Sequence, residues 1–316
     1  MKSVDVLTAK KILEGGDVVA LPTETVYGLG GWIHSEQGLK KIFSVKERPF
    51  FDPLIVHVDS TPKARALSSE WTDVHELLAQ KFWPGPLTLI TKKNTSVHPL
   101  ITSGLDSVGV RCPNHTLTLQ LLSKIEGGIA APSANKFGKT SPTTATHVFE
   151  EFGNTISILD GGASEVGIES TVVGILDGGK KIEIYRPGFI TASMLEEVLV
   201  HQGFNLKVTY AESPVAPGQL KHHYMPRIPL VIVPQDFNWN LDKNLIEDQL
   251  HLSFSNPKIW VQSEDPLLAS RELYESLRKF DLEGFDIILT SKLPAHNSEA
   301  WLGIWNRLQK AKTLAL

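Results

Sequence analysis

The fold is decided by the stretch Val18-Val19-Ala20-Leu21-Pro22-Thr23-Glu24-Thr25-Val26-Tyr27-Gly28-Leu29-Gly30, an apolar run that breaks into a polar loop. A helical segment follows and ends in the basic turn Lys46-Glu47-Arg48-Pro49. Asp52-Pro53 then leads into a second apolar run, Leu54-Ile55-Val56-His57. This order of strand, polar loop, helix, basic turn and strand is typical of an α/β sheet.

Polar side chains follow the two predicted strands of this stretch. In open α/β sheets ligands bind just past the strand ends, so we expect five of these side chains to converge on one pocket. They are Thr23, Thr25, Lys46, Arg48 and His57. Two cations two residues apart on a turn stopped by proline suit an anionic ligand, above all a phosphate. The alternative is a solvated basic helix end, which the helix macrodipole favours.

Beyond this stretch, apolar periodicity predicts alternating strands and helices as far as residue 199. Strands are predicted at residues 87–91, 108–113, 128–131, 156–159, 171–175 and 182–185. Helices are predicted at residues 8–14, 72–82, 117–125 and 193–199, and after the N-cap Ser35. Arg111 and Arg186 stand near the ends of two predicted strands. A cation on a buried strand is normally paired or faces a ligand.

One segment has nearly the spacing of a phosphate-binding loop. It is Ser133-Ala134-Asn135-Lys136-Phe137-Gly138-Lys139-Thr140, with Ser133 in place of the first glycine. That motif needs a helix beginning at Gly-Lys-Thr, so that backbone amides can reach the phosphate. Pro142 follows at once, and the residue before a proline is disfavoured in helical geometry. We therefore predict no such loop, but a helix with Ser141 as its N-cap that runs to about Phe152.

The composition changes after residue 203. Residues 204–227 lack helical or strand periodicity and are rich in proline and histidine. From residue 228 onward, strands at 230–233, 258–261 and 286–289 alternate with helices near 245–250, 267–280 and 298–312. We predict a first domain at 1–203, a linker at 204–227, and a second, smaller Rossmann-like α/β domain at 228–316.

Composition excludes several classes of protein. Of the 316 residues 41% are hydrophobic and 21% charged, as in ordinary globular proteins. The net charge of −4 gives no global basic field that would attract nucleic acid. The lone Cys112 excludes an intramolecular disulfide and a multi-cysteine zinc site. Without the pattern of a signal peptide or an apolar run of membrane length, we expect a cytoplasmic protein.

Nine ordered motifs over residues 8–200 resemble the YrdC-type domain. They are Pro22-Thr23-Glu24-Thr25-Val26-Tyr27-Gly28-Leu29, Lys46-x-Arg48-Pro49, Pro53-Leu54-Ile55-Val56-His57, Trp83-Pro84-Gly85-Pro86-Leu87-Thr88, Val108-Gly109-Val110-Arg111, Ala131-Pro132-Ser133-Ala134-Asn135, Ser141-Pro142-Thr143, Ser170-Thr171-Val172-Val173 and Arg186-Pro187-Gly188. Ser213-Pro214-x-x-Pro217-Gly218 and His222-His223-Tyr224-x-Pro226, followed by a small α/β domain, resemble the long form of the threonylcarbamoyl-AMP synthase family.

The resemblance implies a twisted α/β sheet and a nucleotidyltransferase activity. Members of the family join L-threonine, bicarbonate or CO₂, and ATP into threonylcarbamoyl-adenylate and pyrophosphate. Other proteins then transfer the threonylcarbamoyl group to tRNA. The implied chemistry relies on positioning and charge neutralisation, with no side chain as nucleophile and no protein metal site. Mg²⁺ is expected mainly on the ATP phosphates.

Site residues are carried over position by position. The resemblance implies threonine binding by Thr25, His57, Arg111, Ala131 and Ser170. It implies ATP binding by Lys46, Arg48, Asp52, Ser107, Ser133, Asn135, Ser141, Arg186 and Tyr224. Asp52 stands where many relatives have asparagine, and Ser107 where threonine is common. A carboxylate cannot donate a hydrogen bond at neutral pH, which separates Asp52 from those relatives.

Two other functions are open at this stage. A non-catalytic RNA-binding module would use the concave cationic face of YrdC-type domains, but the near-neutral charge and the absence of an aromatic RNA motif disfavour it. A carbamoyl-transfer enzyme using carbamoyl phosphate would resemble hydrogenase-maturation proteins. Those proteins also carry acylphosphatase and zinc-finger segments, whereas this chain has one cysteine.

The linker itself has a predicted function. Residues 213–226 concentrate His222, His223 and Tyr224 between prolines, which a passive spacer would not need. We expect this segment to form a lid over the ATP site, excluding water and holding an unstable adenylate. The prolines would reduce the entropy lost when the lid closes. Tyr224 would contact the nucleotide by stacking or through its hydroxyl.

Overall fold

The computed structural model describes residues 1–212 and 223–316. Within these ranges the strands are β1 (Val19–Leu21), β2 (Gly28–Trp32), β3 (Ile55–His57), β4 (Ser68–Glu70), β5 (Leu87–Lys93), β6 (Ser107–Arg111), β7 (Ile129–Ala130), β8 (Ser157–Ile158), β9 (Thr171–Leu176), β10 (Lys181–Arg186), β11 (Val208–Tyr210), β12 (Leu230–Ile232), β13 (Pro257–Ile259), β14 (Ile287–Thr290) and β15 (Leu314–Ala315).

The helices of the described ranges lie on and between two sheets. They are α1 (Val6–Glu14), α2 (Glu36–Lys46), α3 (Thr61–Ala66), α4 (Asp73–Phe82), α5 (Pro99–Thr102), α6 (Thr116–Leu122), α7 (Ala145–Phe152), α8 (Ala192–His201), α9 (Trp239–Leu250), α10 (Pro266–Leu282) and α11 (Leu302–Ala311). Short 3₁₀ turns occupy Gly153–Thr155, Asp177–Gly179, Pro294–Asn297 and Glu299–Trp301. In this part of the chain no helix has the length and apolar character needed to cross a membrane.

The large sheet is mixed and confirms the predicted α/β class. Its strands follow the order β11-β10-β9-β5-β6-β3-β7-β2-β1-β8, and β4 pairs with β5. Strands β3 and β6 are parallel, as are β5 and β9, whereas β5 and β6 are antiparallel. Ile42 and Phe43 of α2 pack in the same apolar core as Val56 and Val110 of the sheet. The predicted N-cap Ser35 accepts a hydrogen bond from the Gly38 amide.

Strand β2 is absent from the sequence prediction, which assigned this stretch to a loop and helix. Its glycines conceal it, because glycine is depleted in strands. The structure explains why glycine is needed there. A Cβ at Gly30 would lie 2.7 Å from Cδ1 of Leu21, and one at Gly31 would lie 2.9 Å from Cδ1 of Ile42. The hairpin of β1 and β2 therefore packs too closely for side chains at these two positions.

The predicted start of α7 is wrong. The helix begins at Ala145 instead of following Ser141, and Thr144 caps it by accepting a hydrogen bond from the His147 amide. The backbone at Pro142 is held by a strand-like contact, because its carbonyl accepts from the Tyr27 amide at 2.8 Å. The Ser141 side chain donates elsewhere, to a buried carboxylate described below. Tertiary contacts thus displace a cap that the local sequence supports.

The smaller sheet confirms the second α/β layer. Its order is β13-β14-β12-β15, and every strand pairing in it is parallel. Leu273 of α10 and Ile304 of α11 share an apolar core with Leu230 and Ile288 of the sheet. Three residues from the part of the chain before residue 213, Val26, Val166 and Ile168, belong to that same core. The two halves are thus joined by buried apolar contact.

Glycines on both sides of this contact allow α10 and α11 to approach the backbone beside β9 and β10 closely. A Cβ at Gly167 would lie 2.4 Å from Cα of Arg271 in α10. A Cβ at Gly303 of α11 would lie 3.2 Å from Cα of Gly188. Helices α10 and α11 therefore pack directly against the glycine-containing segment before β9 and the turn after β10. Predicted site residues lie where these two segments join the sheet.

We expect Gly167→Ala to destabilise the protein far more than Gly162→Ala. Both residues have a positive φ, +83° and +81°, and alanine in that conformation costs about 1–2 kcal/mol. Only the Gly167 side chain would collide with α10, whereas nothing lies within 4 Å of a Cβ at Gly162. Overpacking adds roughly 1–3 kcal/mol at Gly167. Urea unfolding of the two variants measures the difference, and equal losses would contradict close seating of α10 at this glycine.

Candidate functional site

A cavity of about 50 Å³ is built around the short central strands of the large sheet. Ile55 and His57 both reach it from β3, because alternate residues of a strand face the same side. Arg111 ends the neighbouring strand β6, directly opposite His57 in the parallel register. The lining consists of Thr23, Thr25, Val26, Gly28, Arg48, Pro53, Ile55, His57, Arg111, Ala131, Pro132, Ser133, Glu169, Ser170, Arg186, His223 and Tyr224.

Four of the five residues expected to converge from the first stretch line this cavity. They are Thr23, Thr25, Arg48 and His57. The fifth, Lys46, is buried beside them, and its ammonium donates to the backbone carbonyls of Ser133 and Asn135 at 2.5 Å each. The basic turn is therefore buried, contrary to the alternative of a solvated helix end. Burial and the nearby charge of Arg48 lower the pKa of Lys46 well below its usual range.

The residues assigned to threonine by resemblance lie together. All five, namely Thr25, His57, Arg111, Ala131 and Ser170, line the cavity. The hydroxyls of Thr25 and Thr23 are 2.9 Å apart, and the Ser170 hydroxyl lies 2.8 Å from that of Thr88. Arg186 donates to both the carbonyl and the hydroxyl of Ser170, at 3.1 and 3.2 Å. These contacts orient the small polar groups that face the cavity.

The residues assigned to ATP are less closely grouped. Four of them line the cavity, namely Arg48, Ser133, Arg186 and Tyr224. Lys46, Asp52, Asn135 and Ser141 are buried next to that lining. Asn135 donates its side-chain amide to the carbonyls of Lys136 and Lys139. Ser107 lies at the start of β6 and lines a neighbouring hollow of about 20 Å³, which shares Pro53 and Ile55 with the cavity.

Each of three buried guanidinium groups lies against a buried carboxylate. Arg48 is 2.8 Å from Asp52, and its Nε also donates to the Asp52 carbonyl at 3.2 Å. Arg111 is 2.7 Å from Glu24, and Arg307 is 3.1 Å from Glu169. Burial raises the pKa of Asp52, an effect that Arg48 opposes. Asp52 thus places a carboxylate beside Arg48, where an asparagine would place an amide.

Glu24, Glu169 and Arg307 are functional-site residues that the sequence interpretation did not assign. Glu169 lines the cavity, accepts the Ser141 hydroxyl at 2.6 Å and accepts the Tyr274 hydroxyl at 2.9 Å. A carboxylate between Ile168 and Ser170, and a cation among the apolar residues of α11, were the available signals. Neither signal identifies the residue with which the charge pairs, because the paired residues are distant in sequence.

The end of the linker closes one side of the cavity. Tyr224 is fully buried with a left-handed φ of +66°, and its ring stacks on Tyr274 at 5.7 Å. The Met225 amide donates to the Gly138 carbonyl at 2.8 Å, and the His223 amide donates to the Lys310 carbonyl at 3.2 Å. Of the predicted lid, residues 213–222 lie outside the described residues. Burial raises the pKa of Tyr224 to about 12, so its hydroxyl keeps its proton.

No group of three or more potential metal-ligating His, Cys, Asp or Glu side chains occurs among residues 1–212 and 223–316. The described site is instead rich in hydroxyls and cations, with every guanidinium noted above already matched to a carboxylate or a carbonyl. Such a cavity suits a ligand that carries several negative charges and hydrogen-bond acceptors.

Comparison with known proteins gives this architecture a class. Residues 11–188 match the Sua5/YciO/YrdC family, described as Telomere recombination, and residues 190–313 match the family described as Threonylcarbamoyl-AMP synthase, C-terminal domain. A YrdC-type half followed by this second domain defines a two-domain synthase architecture. The chain belongs to the threonylcarbamoyl-AMP synthase family.

Relatives match over almost the whole chain. The threonylcarbamoyl-AMP synthase of Pyrococcus abyssi is 36% identical over 96% of this chain and 92% of its own length. That of Bacillus subtilis is 35% identical over 96% and 91%. The crystal structure of P. abyssi Sua5 complexed with L-threonine has a TM-score of 0.84 at 32% identity, covering 98% of this chain and 96% of that chain.

The buried His57 gives stability a pH dependence. Burial, together with the nearby charge of Arg111, lowers the pKa of His57 to about 3. In the unfolded chain the imidazole takes up a proton near a pH of about 6.5. Between these values the unfolded state binds more protons, so stability falls as the pH drops from about 6.5 toward 3.

We expect His57→Gln to remove this part of the pH dependence. The wild type should lose roughly 2 kcal/mol more than the variant in unfolding free energy between about pH 7 and pH 4.5. Urea titrations at the two pH values measure it. Substitution of the exposed His201 by glutamine serves as the control and should keep the wild-type slope. A His57→Gln slope equal to that of the wild type would contradict the lowered pKa.

Proposed function

We propose that this chain synthesises L-threonylcarbamoyladenylate and pyrophosphate from L-threonine, bicarbonate or CO₂, and ATP. One observation carries the proposal, namely similarity to curated synthases at 35–36% identity over 96% of the chain. The product would serve tRNA threonylcarbamoyladenosine modification through separate transfer proteins. We place this reaction in the cytoplasm and assign the catalytic domain to residues 1–203, the linker to 204–227 and the second domain to 228–316. The start of this linker is not a free spacer, because Val208–Tyr210 pairs with β10 as strand β11 of the large sheet.

The reaction needs positioning and charge neutralisation. The threonine amine forms a carbamate, either with CO₂ and release of a proton or with bicarbonate and release of water. An oxygen of this carbamate then attacks the α-phosphorus of ATP. The bond between the α-phosphorus and the bridging oxygen breaks, and pyrophosphate leaves with the electron pair. Mg²⁺ would enter with the triphosphate as part of the substrate. Reaction rate then depends on how well the chain holds two substrates in line.

Different side chains suit the two substrates, threonine and ATP. Arg111 at the end of β6 suits the threonine carboxylate, because a guanidinium can bind both carboxylate oxygens. Arg48 and Arg186 suit the triphosphate, with Lys46 buried beside them. The negative charge of ATP would raise the lowered pKa of Lys46, so we expect nucleotide binding to favour its protonated form.

The small cavity supports a mobile cover. A dry cavity of about 150 Å³ accepts benzene, so the present volume of about 50 Å³ is too small for ATP together with threonine. His223 and Tyr224 line one side of this space. We infer that the segment around them moves away to admit the nucleotide and returns to exclude water.

The decisive experiment is detection of the adenylate by mass spectrometry after mixing the protein with L-threonine, bicarbonate, ATP and Mg²⁺. Omission of threonine is the matched control and should abolish the product and the ATP–pyrophosphate exchange. RNA binding without any threonine-dependent product would favour the RNA-binding alternative. Product formed only when carbamoyl phosphate is supplied would favour the carbamoyl-transfer alternative.

Arg48→Ala should weaken ATP binding by about 2–4 kcal/mol, because a buried charged contact to the triphosphate is lost. Asp52→Asn is the matched variant, since it keeps the shape and removes the carboxylate 2.8 Å from Arg48. It should bind ATP at least as tightly as the wild type. Calorimetric titration measures both. An unchanged affinity in folded Arg48→Ala would rule out the assigned contact.

Arg111→Lys should weaken threonine binding about tenfold or more while changing ATP binding less, because lysine cannot form the planar fork of a guanidinium. Separate titrations of the two substrates measure the ratio. Arg111 also bonds to Glu24 and to the Gly85 carbonyl. Equal loss of both affinities would therefore identify it as a structural residue.

The linker should become resistant to protease when ATP and threonine are bound. A closed cover buries its backbone, so limited proteolysis should cut within residues 204–227 in the free protein and more slowly in the complex. Tyr224→Ala should lower adenylate formation while the protein stays folded. Equal cleavage with and without ligands, together with full activity of Tyr224→Ala, would exclude a lid.

A further inference from the structure

Glu169 is the point at which the C-terminal helices reach the cavity. Its Oε1 accepts a hydrogen bond from the Ser141 hydroxyl at 2.6 Å. Its Oε2 accepts the hydroxyl of Tyr274 in α10 at 2.9 Å and Nε of Arg307 in α11 at 3.1 Å. One buried carboxylate thus gathers a residue assigned to ATP and two residues of the second half of the chain.

Arg307 also holds the backbone beside two site residues. Its Nη2 donates to the Glu169 carbonyl at 3.2 Å, and its Nη1 donates to the Pro187 carbonyl. Glu169 precedes Ser170, and Pro187 follows Arg186. Arg186 itself donates hydrogen bonds to Ser170. The guanidinium of Arg307 therefore holds the backbone next to each of these two residues.

We propose that Arg307 and Tyr274 are positioning residues for the nucleotide end of the site, acting through the buried carboxylate of Glu169. The inference deepens the proposed function, on which it rests, by giving the C-terminal helices a part in ATP binding. Glu169 lines the cavity, so an unneutralised charge there would repel a triphosphate. Arg307 neutralises that charge, and Tyr274 and Ser141 satisfy the remaining acceptor sites of the carboxylate.

The charges that face Glu169 decide its protonation. Burial by itself would raise the pKa of Glu169, but Arg307, Arg186 and the Ser141 hydrogen bond outweigh burial and hold the pKa at about 2. The ionisable groups on the surrounding elements are Arg307 and Lys310 of α11, Tyr274 of α10, Arg186 at the end of β10, Lys46 of α2, and His223 and Tyr224. Without the Arg307 charge, burial is opposed less strongly and the Glu169 pKa must rise.

The test measures ATP and threonine binding and adenylate synthesis by Arg307→Gln from about pH 5.5 to pH 8.5. We expect KM and Kd for ATP to rise about tenfold or more, with threonine affinity changed less than about threefold. The ATP affinity of this variant should improve as the pH falls, because protonation of the Glu169 carboxylate removes the charge that repels the triphosphate. The double variant Glu169→Gln/Arg307→Gln should lose this pH dependence. Tyr274→Phe, which removes only the hydroxyl, should weaken ATP binding in the same direction by a smaller factor.

Glu299→Gln is the matched control for docking of the two halves. The Glu299 carboxylate accepts from the Ala192 and Ser193 amides at the start of α8, away from the cavity. This variant should lower the unfolding midpoint without changing the ATP affinity or the pH profile. If Arg307→Gln behaves like Glu299→Gln, or weakens both substrates equally without an ATP affinity that improves toward acidic pH, the positioning role is overturned.

Two further outcomes separate this inference from the proposed function. Wild-type protein that binds ATP without making adenylate would sink the proposed function, and the ratio of ATP affinities between wild type and Arg307→Gln would still decide the positioning role. Wild-type protein that binds no ATP overturns both. Should Arg307→Gln fail to fold, Tyr274→Phe decides, and an unchanged ATP affinity in that variant overturns the inference.

Discussion

The buried contact between Glu169 and Arg307 governs how the two halves of the chain meet at the cavity. It joins residues 138 positions apart and lies where α11 rests on the turn after β10. Removing one partner of such a pair typically costs about 3–5 kcal/mol, because the other charge stays buried without compensation. The contact therefore constrains the segment before β9, the turn after β10 and the C-terminal helices together. The glycines at 167, 188 and 303 let these backbones approach closely enough for it to form.

The same principle organises the rest of the cavity. Several cations are needed to receive a triphosphate, yet cations assembled in a buried site without a ligand repel one another. Asp52 and Glu24 moderate this repulsion by pairing with Arg48 and Arg111. Lys46 has backbone carbonyls as acceptors instead, and its pKa is lowered by burial and by Arg48. The site is thus prepared for anions while most of its charge is balanced internally.

Residues 223–226 link the charged residues of the cavity to the cover that controls access to it. It is held from both halves, by Gly138 on one side and by Lys310 on the other. Tyr224 adopts a left-handed backbone conformation, which is unfavourable for a bulky residue unless its surroundings hold it there. The centre of its ring lies 5.7 Å from that of Tyr274 and 5.7 Å from the guanidinium carbon of Arg307. The residues that fix Glu169 therefore also support the cover of the cavity.

Much of the fold could be read from the sequence, because it depends on local periodicity. The helices from Val6, Glu36, Asp73 and Pro266 and the strands β3, β5, β6, β9 and β10 agree with the predictions to within a few residues. Strand β2 and the start of α7 could not be predicted, because Gly30, Gly31 and Ser141 are determined by contacts with other elements of the fold. Local pattern reports which face of an element is apolar, but not what packs against it.

The candidate site was likewise predicted only in part from the sequence. By itself the sequence determined that Thr25, Arg48, His57, Arg111, Ser170 and Arg186 are polar residues at strand ends and turns, and family motifs then grouped them. Only the tertiary structure decided that Glu24, Glu169, Tyr274 and Arg307 belong with them. Motif spacing acts over a few residues, whereas a buried charge selects its partner through the packing of elements far apart in the chain.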